Sequence, residues 1–253
     1  REMLADTQPR KFSTLVRLSG FSHGTDVWLG NAKDLITSGT ATVDQAIGCR
    51  DDIMIYLISC GVPPKDSFSI MEKVRKGKGL APEYEAEMRE HNVPDWYIDS
   101  CKKIKYLFPK AHAVAYVTMA VRIAWFKVHR PIAFYCAYFS VRAPAFDLEI
   151  MSAGIERVRM KIHEIEAKQD AKQAEKDLLT ALEVTYEMYL RGFEFAPVDL
   201  YRSEATKFKI DGDRLIPPFT AIAGLGESAA LDIVAHRDQR FLSIEEFSEA
   251  CPK

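Results

Sequence analysis

Lys73, Arg75, Lys76 and Lys78 crowd one short stretch that also holds Gly77 and Gly79. Clustered Arg and Lys suit a triphosphate, and glycines let the backbone approach such a ligand closely. Cations at a helix C-terminus also complement the helix dipole, which is a sufficient explanation on its own. The stretch lacks the Gly-Lys-Ser/Thr ending of the phosphate loop of nucleotide hydrolases. A second group is Lys110, His112 and Tyr116. Helical spacing puts His112, Tyr116 and Ile123 on one face, with Lys110 just off it. Such a face can pack a nucleotide, cations on phosphate and a ring against base or sugar. The competing reading is a core tyrosine and a histidine that caps the helix.

A third candidate is Ile222-Ala223-Gly224-Leu225-Gly226-Glu227-Ser228. A glycine-apolar-glycine turn opening into a helix presents backbone N–H groups and a positive helix end, which can hold a DNA phosphate without reading sequence. It resembles the helix-hairpin-helix turn of many DNA polymerases, ligases and repair proteins, and an ordinary tight turn is the alternative. Metal-dependent nucleotidyl transfer needs paired carboxylates. The Asp211-Gly212-Asp213 triplet sits where a hairpin turn is expected and reads as structural. Asp51 and Asp52 are helix neighbours whose side chains diverge. No catalytic residue and no metal site is therefore expected within this chain.

These groups need elements to hold them. No Asp or Glu occurs between Asp99 and Asp147, a purely cationic segment that suits a polyanion. Apolar periodicity predicts helices over 13–18, 50–60, 65–76, 82–90, 94–106, 111–129 and 131–139. The first should break at Ser19-Gly20, leaving residues 19–26 as a polar loop whose Thr25 or Asp26 caps a helix with Val27, Trp28, Leu29 and Leu35. From Asp147 the character changes to charged amphipathic helices at 148–168 and 172–191. Residues 208–216 alternate about an Asp-Gly turn, a hairpin signal, and a helix follows over 227–236. The chain is thus mainly α: helical through 1–146, an amphipathic helical hairpin in 147–204, then a small β-hairpin and the glycine turn in 205–253.

At 253 residues, 47% hydrophobic and 28% charged, the chain can bury one or two cores. A net charge of -2 means that any nucleic-acid site must be a local patch. The five cysteines are scattered, with no Cys-x-x-Cys pair and no His at metal spacing, which fits reduced thiols in a cytoplasm. No signal peptide is visible. The apolar run at 113–124 falls short of the roughly 20 residues a bilayer needs and contains Arg122. A start at Arg1 and an end at Lys253 suggest a piece of something larger.

Six blocks carry a more specific likeness. They are residues 18–32 (LSGFSHGTDVWLGNA), 48–54 (GCRDDIM), 74–79 (VRKGKG), 96–106 (WYIDSCKKIKY), 108–113 (FPKAHA), and 215–219 (LIPPF) with Gly224-Leu225-Gly226. Together they resemble the fingers of a bacterial C-family replicative DNA polymerase, the alpha subunit of DNA polymerase III in its Gram-positive PolC form, leading into a helix-hairpin-helix element. The likeness covers nearly the whole chain. It implies a helical fingers domain that closes over an incoming deoxynucleoside triphosphate and primer-template DNA. The catalytic aspartates and their Mg2+ would belong to a palm lying before Arg1. Arg50, Arg75, Lys76 and Lys78 would touch triphosphate, Lys110, His112 and Tyr116 would line the nascent base pair, and Ser19 and His23 would form the other wall. Lys102, Lys103, Lys105, Gly224, Gly226, Glu227 and Ser228 would contact DNA. The resemblance also implies chromosomal replication in a bacterial, nucleoid-associated setting. The sliding clamp and other replisome proteins would be met through regions outside this chain, and no membrane is involved. The alternative is a non-catalytic, sequence-independent DNA-binding module of helix-hairpin-helix type. A ligand-free helical scaffold is disfavoured because it would mix its charges.

Overall fold

A computed structural model describes residues 2–142 and 145–251, and the chain divides into two compact units, Arg1–Arg122 and Ile123–Lys253. The first unit is built from α1 (Glu2–Thr7), α2 (Phe12–His23), α3 (Lys33–Thr37), α4 (Arg50–Ser59), α5 (Pro64–Val74), α6 (Pro82–Glu90), α7 (Asp95–Lys103) and the start of α8 (Lys110–His129). Its core is a continuous apolar cluster that includes Phe21, Trp28, Ile53, Leu57, Ile70, Val74, Tyr97, Ile98, Ile104 and Leu107. The amphipathic spacing of α5 puts Ile70, Met71 and Val74 inside, and Pro64 at its first turn fixes the start.

Two local expectations fail, for identifiable reasons. Helix α2 does not break at Ser19-Gly20 but runs through to His23. Gly20 is there for packing: a Cβ on it would stand 2.1 Å from the Gly48 carbonyl oxygen. The backbone of the 48–49 segment lies directly against the helix, and only hydrogen fits between. Nor do Thr25 or Asp26 cap a regular helix. Residues Trp28–Ala32 form a wide turn interrupted at Leu29 and at Gly30, whose φ is +69°. Buried Asn31 holds that turn, donating to the Asp26 carbonyl at 3.1 Å and accepting from Ser100 Oγ at 2.7 Å. Leu29 is thereby expelled to solvent while Trp28 and Ala32 stay in the core.

The second unit contains the remainder of α8, then α9 (Pro131–Val141), α10 (Leu148–Met151), α11 (Ile155–Glu166), α12 (Gln173–Leu190), β1 (Glu194–Phe195), β2 (Lys209–Asp211), β3 (Arg214–Ile216), α13 (Glu227–His236) and α14 (Ile244–Ala250). The single helix expected over 148–168 is split into α10 and α11 at Gly154, whose φ of +100° no helix can contain. The hairpin is present as β2–β3, with Asp211 opposite Arg214. A strand that was not foreseen, β1, pairs parallel to β3 and completes the order β1-β3-β2. At two residues it is too short to show alternation. Phe139, Phe146, Phe195 and Phe208 pack as an aromatic cluster with edge-to-face contacts, centroids 4.9–5.8 Å apart for the closest pairs, and Leu215 seals it. The architecture is mainly α. Among the described residues no helix is long and apolar enough to cross a membrane.

Gly20→Ala should cost roughly 2–3 kcal/mol, because the new methyl group meets main chain that cannot rotate away. Urea unfolding checks this, and an unchanged midpoint would refute the close approach.

Candidate functional site

The link between α7 and α8 threads the candidate residues together. Lys105 N–H donates to the Thr25 carbonyl at 3.1 Å, and Thr25 N–H donates to the Tyr106 carbonyl at 3.0 Å. Leu107 N–H donates to the Arg75 carbonyl at 3.2 Å, and Arg50 N–H to the Phe108 carbonyl at 3.2 Å. The ends of α2, α4 and α5 are thus laced to one extended segment. Gly77 permits this: its φ is +67°, and a Cβ there would stand 2.5 Å from the Lys105 carbonyl oxygen. Its bare backbone serves a neighbour within the fold, whereas Gly79, φ +73°, faces open space.

The carboxylates at the start of α4 position α8. Asp51 Oδ2 accepts from Lys110 N–H at 2.8 Å, capping α8 from another helix. Asp52 turns the other way. It accepts from Cys49 N–H at 2.9 Å and Gly48 N–H at 3.2 Å, and pairs with Arg17 at 3.1 Å and Lys110 Nζ at 3.0 Å. Beside it the Cys49 thiol is pushed up to about 12, first by burial and then by the Asp52 charge. Neither carboxylate is free for a catalytic metal pair, and Asp211 is likewise engaged by Arg202 at 2.6 Å and Arg214 at 3.4 Å.

The basic stretch is partly neutralised from within. Glu72 holds the Arg75 guanidinium through both oxygens, the second contact at 2.8 Å, and takes Lys76 Nζ at 2.8 Å. This pairing was legible at i,i+3 and i,i+4 spacing and was missed. It drives the Glu72 carboxyl down to about 2, the Arg75 hydrogen bond being the first cause and Lys76 the second. Arg50 is 3.8 Å from Asp51, Lys102 pairs with Glu85 at 2.6 Å, and Lys103 donates to the Gly30 carbonyl at 2.9 Å. The acid-free segment in sequence is therefore not acid-free in space. Lys78 and Lys105 are exposed.

The rings form a ladder. His23 stacks on Phe108 with centroids 5.3 Å apart, Phe108 meets His112 edge-on at 4.7 Å, and His112 leans on Tyr116 at 4.6 Å. Tyr116 is 63% exposed and His23 and His112 are exposed, so the face is open to a flat ligand. Ser19 lies one turn before His23 on α2. Phe108, half-buried, is the hinge of this ladder. Tyr116 is not a core residue, since only Ala113 and Val117 of α8 are buried.

In the second unit Gly224 has φ +85°, and Gly226 precedes the first turn of α13 with no side-chain cap. Gly224, Gly226, Glu227 and Ser228 are exposed, and a Cβ on either glycine meets nothing within 4 Å. First-turn N–H groups without a cap are donors for an anion. The turn borders a cleft of about 910 Å³ that also carries Asp147 and Glu149, whose negative charges disfavour an anion within it.

Residues 1–93 match the family model described as the bacterial DNA polymerase III alpha subunit finger domain, and residues 192–253 match a helix-hairpin-helix motif. The DNA polymerase III PolC-type of Bacillus cereus is 60% identical over 98% of this chain, and that of Bacillus subtilis 59% over the same share. The Streptococcus mutans protein of the same description is 57% identical over 96% of it. Nearly the whole chain is thus similar to one segment of PolC-type DNA polymerase III. It spans 17–18% of the length of these relatives.

In the first unit His23, His112 and Tyr116 join one ring ladder through Phe108, with Ser19 one turn before His23, Lys110 at the start of α8, and Arg50 and Arg75 tied to the same 105–108 link. Gly224, Gly226, Glu227 and Ser228 form a separate exposed turn in the second. Sequence reasoning did not single out Glu72, Phe108, Arg17 or the capping role of Asp51.

Because its folded value is depressed, any stability carried by ionised Glu72 is complete above the ordinary 4.5 and is lost as pH falls through about 2. A carboxyl-detected NMR titration should find that midpoint near 2 in the native chain and near 4.5 in the Arg75→Ala Lys76→Ala double variant; an ordinary midpoint in the native chain would disprove the clamp.

Proposed function

We infer that this chain is the nucleotide-binding fingers and the DNA-binding hairpin of a DNA-directed DNA polymerase that replicates the bacterial chromosome. The observation that carries the reading is the identity to PolC-type polymerases along 98% of the chain. The geometry adds the aromatic ladder flanked by Lys110 and the Arg75 stretch, which fits the planar and anionic parts of a deoxynucleoside triphosphate.

In this reading Arg50, Arg75, Lys76 and Lys78 take the triphosphate, whose charge of roughly four they share with Mg2+. The residues at hand do not suit that Mg2+: Asp51, Asp52 and Asp211 are all committed to N–H groups or cations. The metal belongs with palm carboxylates outside this chain. Glu72 releases Arg75 and Lys76 as the phosphates arrive, so cations are exchanged between partners rather than stripped bare. His112, Tyr116 and His23 give the base or sugar a flat wall, which excludes water on one side and orients the α-phosphate toward a primer hydroxyl. The Gly224–Gly226 turn holds a backbone phosphate of the duplex, and Lys102, Lys103 and Lys105 add cations near DNA. Partners of the whole protein, a sliding clamp and other replisome proteins, are met elsewhere. Action in the cytoplasm on the nucleoid follows from the same reading.

In the intact polymerase, Arg75→Ala should raise the nucleotide KM about tenfold, some 1.4 kcal/mol, with DNA Kd unchanged. A loss confined to DNA affinity would move the basic stretch onto the template. Gly226→Val should weaken long-duplex binding several-fold while leaving base selection intact, since backbone contacts carry no sequence information. Duplex affinity equal to wild type would reject the turn as a phosphate site. The non-catalytic module would show salt-dependent DNA binding with no effect of nucleotide.

A further inference from the structure

Away from the ring ladder and the glycine turn, three side chains of metal-binding type converge at the other end of α13. Asp232 and His236 lie one helical turn apart on it, and Cys251 follows α14. One ligand atom from each lies within 4.8 Å of the other two. They are the sole such group of His, Cys, Asp and Glu among the described residues. His236 Nδ1 is 3.5 Å from Asp232 Oδ1. The setting is partly dry: the Asp232 side chain is 17% exposed, and Cys251 packs with Phe247 against the small apolar cluster of Ala230 and Ile233.

A second observation points to a ligand. Asp232 Oδ2 is buried and has no hydrogen-bond partner. An acceptor left this way forfeits its hydration without recompense, and such groups call for a specific cause. Helix geometry explains the other members of the group. His236 Nδ1 sits 2.9 Å from the Asp232 main-chain carbonyl, and Cys251 Sγ makes a 4.0 Å contact to the same oxygen. Neither contact reaches Oδ2. A cation among the three would satisfy it.

We propose that Asp232, His236 and Cys251 form a binding site for a zinc-type divalent transition metal, through one carboxylate oxygen, one imidazole nitrogen and one thiolate sulfur. Nitrogen and sulfur donors select zinc or its neighbours over magnesium and calcium, which take oxygen. Binding forms a metal–sulfur bond and breaks the S–H bond, the proton leaving to solvent. Carboxylate and thiolate then neutralise the two positive charges. Three protein ligands leave one tetrahedral position for water. The metal would fasten the chain after α14 to α13, the helix whose N-terminus bears the Gly226 turn. The site uses none of the residues assigned to nucleotide and stands whether or not the polymerase reading does.

Cobalt(II) titration of this chain tests it, read by thiolate-to-cobalt charge-transfer and d–d absorption. The expected result is saturation at one equivalent, with zinc displacing cobalt. Cys251→Ser should abolish the charge-transfer band, Asp232→Asn and His236→Ala should each weaken affinity at least about tenfold, and Cys60→Ser should change nothing. No saturable band, or a band that survives Cys251→Ser or vanishes with Cys60→Ser, would overturn the site. Should a variant fail to fold, the native chain still decides. Limited proteolysis within 237–251 should slow at least about tenfold in saturating zinc and recover with chelator; cleavage indifferent to zinc would overturn the proposal.

Discussion

The carboxylate of Asp52 is the contact on which the first unit depends. It is only 10% exposed, and two main-chain N–H groups and two cations converge on it. With that one group fixed, α4 has its start, the 48–49 backbone has its position against Gly20, and Arg17 and Lys110 have theirs. Removing the charge would leave the mostly buried Arg17 without its carboxylate partner and two main-chain N–H groups without an acceptor, while the more exposed Lys110 could turn to water. Asp51, one residue earlier, carries the same control to the first turn of α8. Two adjacent acids thus decide where the histidine and tyrosine of that helix stand.

The exposed face follows from this anchoring. A ring ladder spanning α2, the 105–108 link and α8 requires three backbones to be registered to within the tolerance of aromatic contact. The ladder hydrogen bonds from Thr25, Arg75 and Phe108 supply that registration. Most rings in small proteins are buried to gain transfer energy; here Tyr116 is held in place without burial, and its surface is kept available.

Much of the architecture was legible. Helix start points at Pro64, Pro82 and Pro131, the hairpin at Asp211-Gly212 and the helix after Gly226 all follow from residue chemistry that acts within a few positions. Most of the failures share a cause, which is that their determinants act at a distance. Gly20 looks like a breaker until Gly48 is placed beside it. Asp51 and Lys110 are separated by 59 residues, so no spacing rule links them. Gly154 is the exception: a lone glycine between amphipathic stretches was a local signal for the split of α10 from α11. Glu72 was local too, and its i,i+3 and i,i+4 pairings alone would have shown that the basic stretch is not a bare patch.

That clamp has a consequence for discrimination among anions. An anion that takes Arg75 and Lys76 gains only the difference between its own contacts and those of Glu72, because the cations begin already satisfied. A singly charged or diffuse anion gains almost nothing by the exchange. One that concentrates several charges on adjacent oxygens outbids a lone carboxylate. In the proposed triphosphate reading the glutamate would act as a reference competitor, built into the chain at fixed local concentration, and would set a threshold of charge density for any anion that takes Arg75 and Lys76.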